Sequence, residues 1–99
     1  MPTLQFEHRI KDYTMWKMAF DRDPIDRRGL GVRRHRICRP LGDSQYIVGE
    51  LEFDTLAEAQ ACRDALRELW KSRAAAPALS GVPQVRIVET VEDDDYSLG

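Results

Sequence analysis

Ninety-nine residues, 42% hydrophobic and 32% charged, describe one globular domain around a single core. A net charge of -2 offers no general attraction to nucleic acid or to an anionic membrane, and no apolar run approaches the ~20 residues that span a bilayer. Cys38 and Cys62 lack disulfide or metal spacing, and Glu7, His8 and Arg9 interrupt the place where a secretory leader would be apolar, so a cytoplasmic protein is expected.

The stretch "TLQFEHRI" (3–10) alternates, with Leu4, Phe6, His8 and Ile10 on one side and Gln5, Glu7 and Arg9 on the other. Period two with one apolar face predicts a strand. Asp12 then suits a helix N-cap, and "YTMWKMAF" follows with Trp16, Ala19 and Phe20 on one stripe. Pro24 cannot continue that helix without losing a hydrogen bond, so the helix kinks or restarts there, with Asp23 capping a short turn. The glycines of "RRGLG" end the segment.

A basic strand is expected over 32–40, "VRRHRICRP", then a turn at Gly42-Asp43, then a third strand over 45–53, "QYIVGELEF". The short link makes these two an antiparallel hairpin. Thr55 and Glu58 have the spacing of a capping box, and Leu56, Ala59, Cys62, Leu66, Leu69 and Trp70 share one face of the helix that follows. Residues 73–83, "RAAAPALSGVP", read as a loop, residues 84–92 as a fourth strand, and 93–99 as an acidic flexible tail outside a single domain of residues 1–92.

The resulting order is βαββαβ. Two right-handed crossovers joined by a hairpin give a four-stranded antiparallel sheet with both helices on one face, the ferredoxin-like α+β fold. Val85, Ile87 and Val91 of the fourth strand join the helix-facing set. The opposite sheet face is left bare. It carries Gln5, Glu7, Arg34, Arg36, Tyr46, Val48, Glu50, Glu52, Arg86 and Val88, mixing both charges with a few apolar groups. With Ile37 placed opposite Ile47, Arg34 faces Glu50, and cross-strand opposite charges stabilise by about 0.2–1 kcal/mol. These carboxylates beside the arginines argue against a nucleic-acid surface.

The strings "LQFEHRI", "WKMAFDRDP", "RRHRICRP", "LEFDTLAEA", "LRELWKS" and "PALSGVPQVRIVETVE" resemble small actinobacterial members of the dimeric α/β-barrel superfamily, related to antibiotic-biosynthesis-monooxygenase-like proteins. The resemblance covers residues 3–92 and is structural rather than catalytic. It implies a homodimer in which two bare sheet faces close a barrel, and it permits a pocket between sheet and helices. Relatives include cofactor-free monooxygenases of aromatic polyketides, heme-degrading monooxygenases, muconolactone isomerases and polyketide cyclases. Heme-degrading members carry a histidine on the second helix. "ALRELWKSRAAAP" holds Trp70 but no histidine, so heme is not expected, and no cofactor is implied.

Candidate chemistry is sparse. His8 titrates near neutrality and is the candidate catalytic base toward an acidic phenol or enol; the competing reading is a core-edge histidine bonded to backbone. His35 is expected at an exposed edge, and two scattered histidines predict no metal site. Glu7, Glu50, Arg36 and Arg86 either polarise a ligand inside the barrel or form an ion-paired subunit interface. Trp16 and Phe20 read as core, whereas Tyr13 and Trp70 begin and end their helices and are the candidates for a pocket mouth. The expected ligand is a small aromatic or polyketide-like molecule that is oxygenated, cyclised or isomerised. The alternative is a non-catalytic binding or dimerising protein of the same fold.

Overall fold

A computed structural model describes residues 1–72 and 79–97, with Leu79 described by its backbone alone. The elements follow the expected order: β1 (Pro2–Ile10), α1 (Tyr13–Asp21), β2 (Arg34–Cys38), β3 (Tyr46–Glu52), α2 (Leu56–Lys71) and β4 (Leu79–Glu89). The four strands form one antiparallel sheet in the order β2-β3-β1-β4. The fold is ferredoxin-like.

Local chemistry sets the helix starts. The Asp12 side chain accepts from the Met15 amide at 2.9 Å, satisfying one of the unpaired donors of the first turn of α1. Thr55 and Glu58 form the full capping box: the Glu58 amide donates to Thr55 Oγ1 at 3.2 Å and the Thr55 amide donates to Glu58 Oε1 at 3.1 Å.

Both helices lie on the same sheet face. Their Trp16, Ala59, Cys62 and Leu66 join Leu4, Phe6, Ile10, Ile47, Leu51 and Phe53 in the core. Burying each large side chain stabilises by roughly 1.5–3 kcal/mol. At Gly49 the core forbids a side chain, because a Cβ there would overlap the ring of Phe6, its cross-strand partner. Two expected core positions do not join it. Leu56 is 55% exposed because it opens α2 ahead of the first turn that meets the sheet, and Val91 is 92% exposed because β4 ends at Glu89.

The hairpin register differs from expectation. Ile37 pairs with Gly49, Arg34 with Glu52 and Arg36 with Glu50, two residues from the expected alignment. The turn is wider than one tight at Gly42-Asp43. The Asp43 amide donates to the Pro40 carbonyl at 3.2 Å, and the Asp43 carboxylate accepts from the Gln45 amide at 3.1 Å. A two-residue slip preserves which face each side chain takes, so the face assignments survive it.

The expected loop also needs correction at its C-terminal end. Residues 73–78 lie outside the described residues, but Leu79–Pro83 belong to β4. The pairing of β1 with β4 shifts between Glu7 and Arg9, so Gly81, Val82 and Pro83 bulge opposite His8. Gly81 supplies the left-handed backbone (φ 93°) and Pro83 lacks an amide proton, so turn chemistry here bends a strand rather than ending it.

Candidate functional site

His8 comes from the middle of β1 and points between the sheet and the helices, where it is 3% exposed. Three aromatic rings surround it: Phe6 at 6.1 Å, Trp16 at 6.3 Å and Trp70 at 6.2 Å between centroids. Its Nδ1 lies 3.1 Å from the Arg9 carbonyl oxygen. A carbonyl only accepts, so Nδ1 carries the proton and Nε2 holds the lone pair. Among the described residues nothing partners Nε2, and no buried side-chain nitrogen or oxygen is left unsatisfied, so Nε2 keeps an accessible face. Burial lowers the imidazole pKa from its ordinary 6.5, and the hydrogen bond to the Arg9 carbonyl opposes that more weakly. His8 is therefore neutral at neutral pH, a free base in an apolar setting. One ring nitrogen is bonded to backbone, as a core-edge histidine would be, and among the described residues the other has no partner.

That ring forms part of the wall of a cavity of about 160 Å³ between β1, α1, α2 and the segment after α1. Phe6, Trp16, Phe20, Leu51, Leu66 and Trp70 supply an apolar lining, and Arg22, Asp23 and Arg27 add charge. The last three arrive on a run of turns. Asp23 and Asp26 both adopt left-handed backbone (φ 54° and 57°), and the Asp23 carboxylate accepts from the Arg27 amide at 3.0 Å. Arg27 then folds back, its guanidinium 3.7 Å above the Phe20 ring centroid and its Nε 3.2 Å from Asp23 Oδ1.

Of the candidates singled out in the sequence, the structure brings His8 and Trp70 together at this cavity. Tyr13 is half-buried against Trp16 at 6.2 Å with Arg39 4.7 Å above it, beside the cavity lining rather than in it. Glu7, Glu50, Arg36 and Arg86 lie on the opposite sheet face. There Tyr46 donates to Glu7 at 2.7 Å, Arg86 Nε donates to Gln5 Oε1 at 3.0 Å, and Gln5 Nε2 donates to Glu50 at 3.4 Å. Donation to the Glu7 carboxylate raises the Tyr46 pKa above its usual range. His35 is exposed on β2, its ring edge-on to Phe20 at 5.3 Å.

Nothing in the sequence marks Arg22, Asp23 or Arg27 as site residues, and helical spacing alone places Trp16 and Phe20 in the core. Both rings do pack against the core, yet they also line the cavity. The one available signal was the Asp-Pro that stops the aromatic stripe, since a chain turned back at that point must pass over it.

No protein-family profile and no curated protein matches the chain. Solved structures do. A candidate antibiotic biosynthesis monooxygenase from Nitrosomonas europaea is 17% identical with a TM-score of 0.69, covering 93% of this chain and 100% of its own. SnoaB, a cofactor-independent oxygenase from Streptomyces nogalater, is 11% identical with a TM-score of 0.72, covering 93% and 94%. A dimeric ferredoxin-like protein from an uncultured marine organism is 10% identical with a TM-score of 0.59, covering 94% and 98%. Identities this low establish a shared fold.

Proposed function

We propose that the protein binds a small aromatic molecule in the sheet–helix cavity and that His8 acts there as a general base, without a resident cofactor. The observation that carries this reading is the accessible, unprotonated Nε2 beside the aromatic rings of a largely apolar wall. Withdrawing a proton from a phenol or enol is the step that oxygenation by dioxygen, cyclisation and isomerisation share, and a neutral imidazole suits it. The structural neighbour described as a cofactor-independent oxygenase supports the same choice. Hydrogen–deuterium exchange at the α-carbon of a single-ring enolisable ketone, followed by NMR, tests it. The protein should accelerate exchange, with an acid limb below pH 6.5, and His8→Gln should abolish the acceleration. Binding without exchange would point instead to a ligand-binding protein of the same fold.

We further propose a homodimer closed through the open sheet faces, with Glu7, Glu50, Arg36 and Arg86 at the interface. Half-buried Val48 and Val88 among these charges, and a neighbour described as dimeric, support it. Sedimentation should return twice the 11.4 kDa chain mass. Free cysteines at Cys38 and Cys62 support a reducing, cytoplasmic setting.

A further inference from the structure

We infer that the cavity is shaped for a single-ring aromatic carboxylate, with the ring seated between Trp16 and Trp70 and the carboxylate taken by Arg27. The inference rests on the aromatic-ligand reading above and narrows it in size and in charge.

Size comes first. An apolar protein cavity of about 150 Å³ accepts benzene, and this one holds about 160 Å³. One ring fills such a space. Three or four fused rings exceed that volume, and enlarging it inward would displace Trp16 from the core.

Charge comes from the same wall. Two guanidinium groups and one carboxylate leave it at +1. Arg27 is the group placed to use that charge. Its side chain is 17% exposed, its flat face is held on the Phe20 ring, and its Nε edge is turned to Asp23. Among the described residues no acceptor takes a hydrogen bond from either Nη group. A guanidinium with its Nη pair unengaged presents the parallel donors that match the two oxygens of a carboxylate. Stacking on Phe20 and the link to Asp23 fix its orientation beforehand, so little side-chain freedom is lost on binding. An ammonium group in the same position would meet Arg22 and Arg27, with Asp23 already engaged by Arg27.

The chain contains two tryptophans, and both line the cavity, so their indole N–H signals report occupancy directly. Benzoate, benzyl alcohol, benzylamine and anthracene-2-carboxylate would be titrated into the intact protein and followed by NMR at both indoles. Benzoate should bind about ten- to hundredfold more tightly than benzyl alcohol, the range of one charge-assisted hydrogen-bonding pair. Benzylamine should be weakest, and the three-ring acid should fail to shift the indoles. Arg27→Met should bring the benzoate to benzyl alcohol ratio close to one. Equal affinities for benzoate and benzyl alcohol in the unmodified protein would overturn the charge assignment while leaving an aromatic site standing. Retention of the full ratio in a folded Arg27→Met protein would do the same. Tighter binding of the three-ring acid would overturn the size assignment. If no single-ring compound moves either indole, this inference and the aromatic-site reading fall together. Should Arg27→Met fail to fold, the four-ligand comparison on the unmodified protein still decides.

Discussion

The two faces of the sheet are built from the same strands and do opposite things. On the helix side Leu4, Ile10, Ile47 and Leu51 exclude water almost completely, and the space left unfilled is faced by the free Nε2 of His8 among aromatic rings. On the open side Gln5, Glu7, Tyr46, Glu50 and Arg86 satisfy one another through side-chain hydrogen bonds. A titratable group with one nitrogen free beside aromatic rings is a candidate for proton transfer, whereas a group inside a satisfied network is held in place. Burial with one partner missing, rather than the density of charge, separates a candidate site from a candidate interface.

Adjacent residues of β3 test that contrast most directly. Ile47 is fully buried under the helices and Val48 is half-buried on the open face. Ile47→Ala should lower the unfolding free energy measured in urea by about 2–5 kcal/mol, through lost transfer energy and the cavity left behind. Val48→Ala should change it by about 1 kcal/mol or less in the dilute protomer. A larger Val48 effect that grows with protein concentration would place that side chain inside the proposed dimer.

Thiol chemistry gives the next contrast. Burial pushes the Cys62 thiol up to about 11, while Cys38 is exposed on the edge strand β2. Alkylation at neutral pH should label Cys38 and leave Cys62 behind by at least about a hundredfold in rate, since the thiolate is the reactive form. Mass spectrometry of partially labelled protein reads this. Equal labelling of both would show that α2 leaves the sheet readily.

The imidazole at His8 makes stability depend on pH with a definite sign. Its folded pKa lies below 6.5, so in the interval between the two values the unfolded chain takes up the proton first. Stability is therefore full above 6.5, falls as the pH drops from there towards the folded value, and falls no further from this group below it. Urea titrations between about pH 8 and about pH 5 should show that decline, and His8→Gln should flatten it. An unchanged slope in the variant would mean that His8 is hydrated in solution and that the cavity is wet.

Much of the covered face was legible because alternation and helical periodicity report burial directly. Thr55 and Glu58 announced the second helix, and the strand alternation placed His8 on the inner side. The cavity was not legible for a related reason. Trp16 and Phe20 recur at helical spacing whether they fill a core or line a space within it, so periodicity cannot tell the two apart. Arg22 reaches the site as the C-cap of α1, and Asp23 and Arg27 reach it through left-handed backbone at Asp23 and Asp26, conformations that aspartate tolerates without requiring them. Gly81 and Pro83 misled in the opposite direction: residues that punctuate loops here form a bulge within a strand, placed opposite His8. The hairpin slip went unseen because a two-residue shift leaves every side chain on its own face.

That slip sets up the smallest effect. Arg34 and Glu52 stand directly opposite at 3.6 Å on the outer hairpin, and the Arg34 side chain is 68% exposed. Water and salt screen such a pair, so a double-mutant cycle with Arg34→Ala and Glu52→Ala should give a coupling of about 0.2–1 kcal/mol that shrinks as ionic strength rises. Arg36 and Glu50 oppose each other two residues further along the same hairpin. The matching cycle there should be equally weak in an isolated protomer, because both pairs then face water. A partner sheet laid over this surface would desolvate the pair it covers, and that coupling would rise and lose its salt dependence. The size and salt dependence of the two couplings thus read out whether the open face is open in solution.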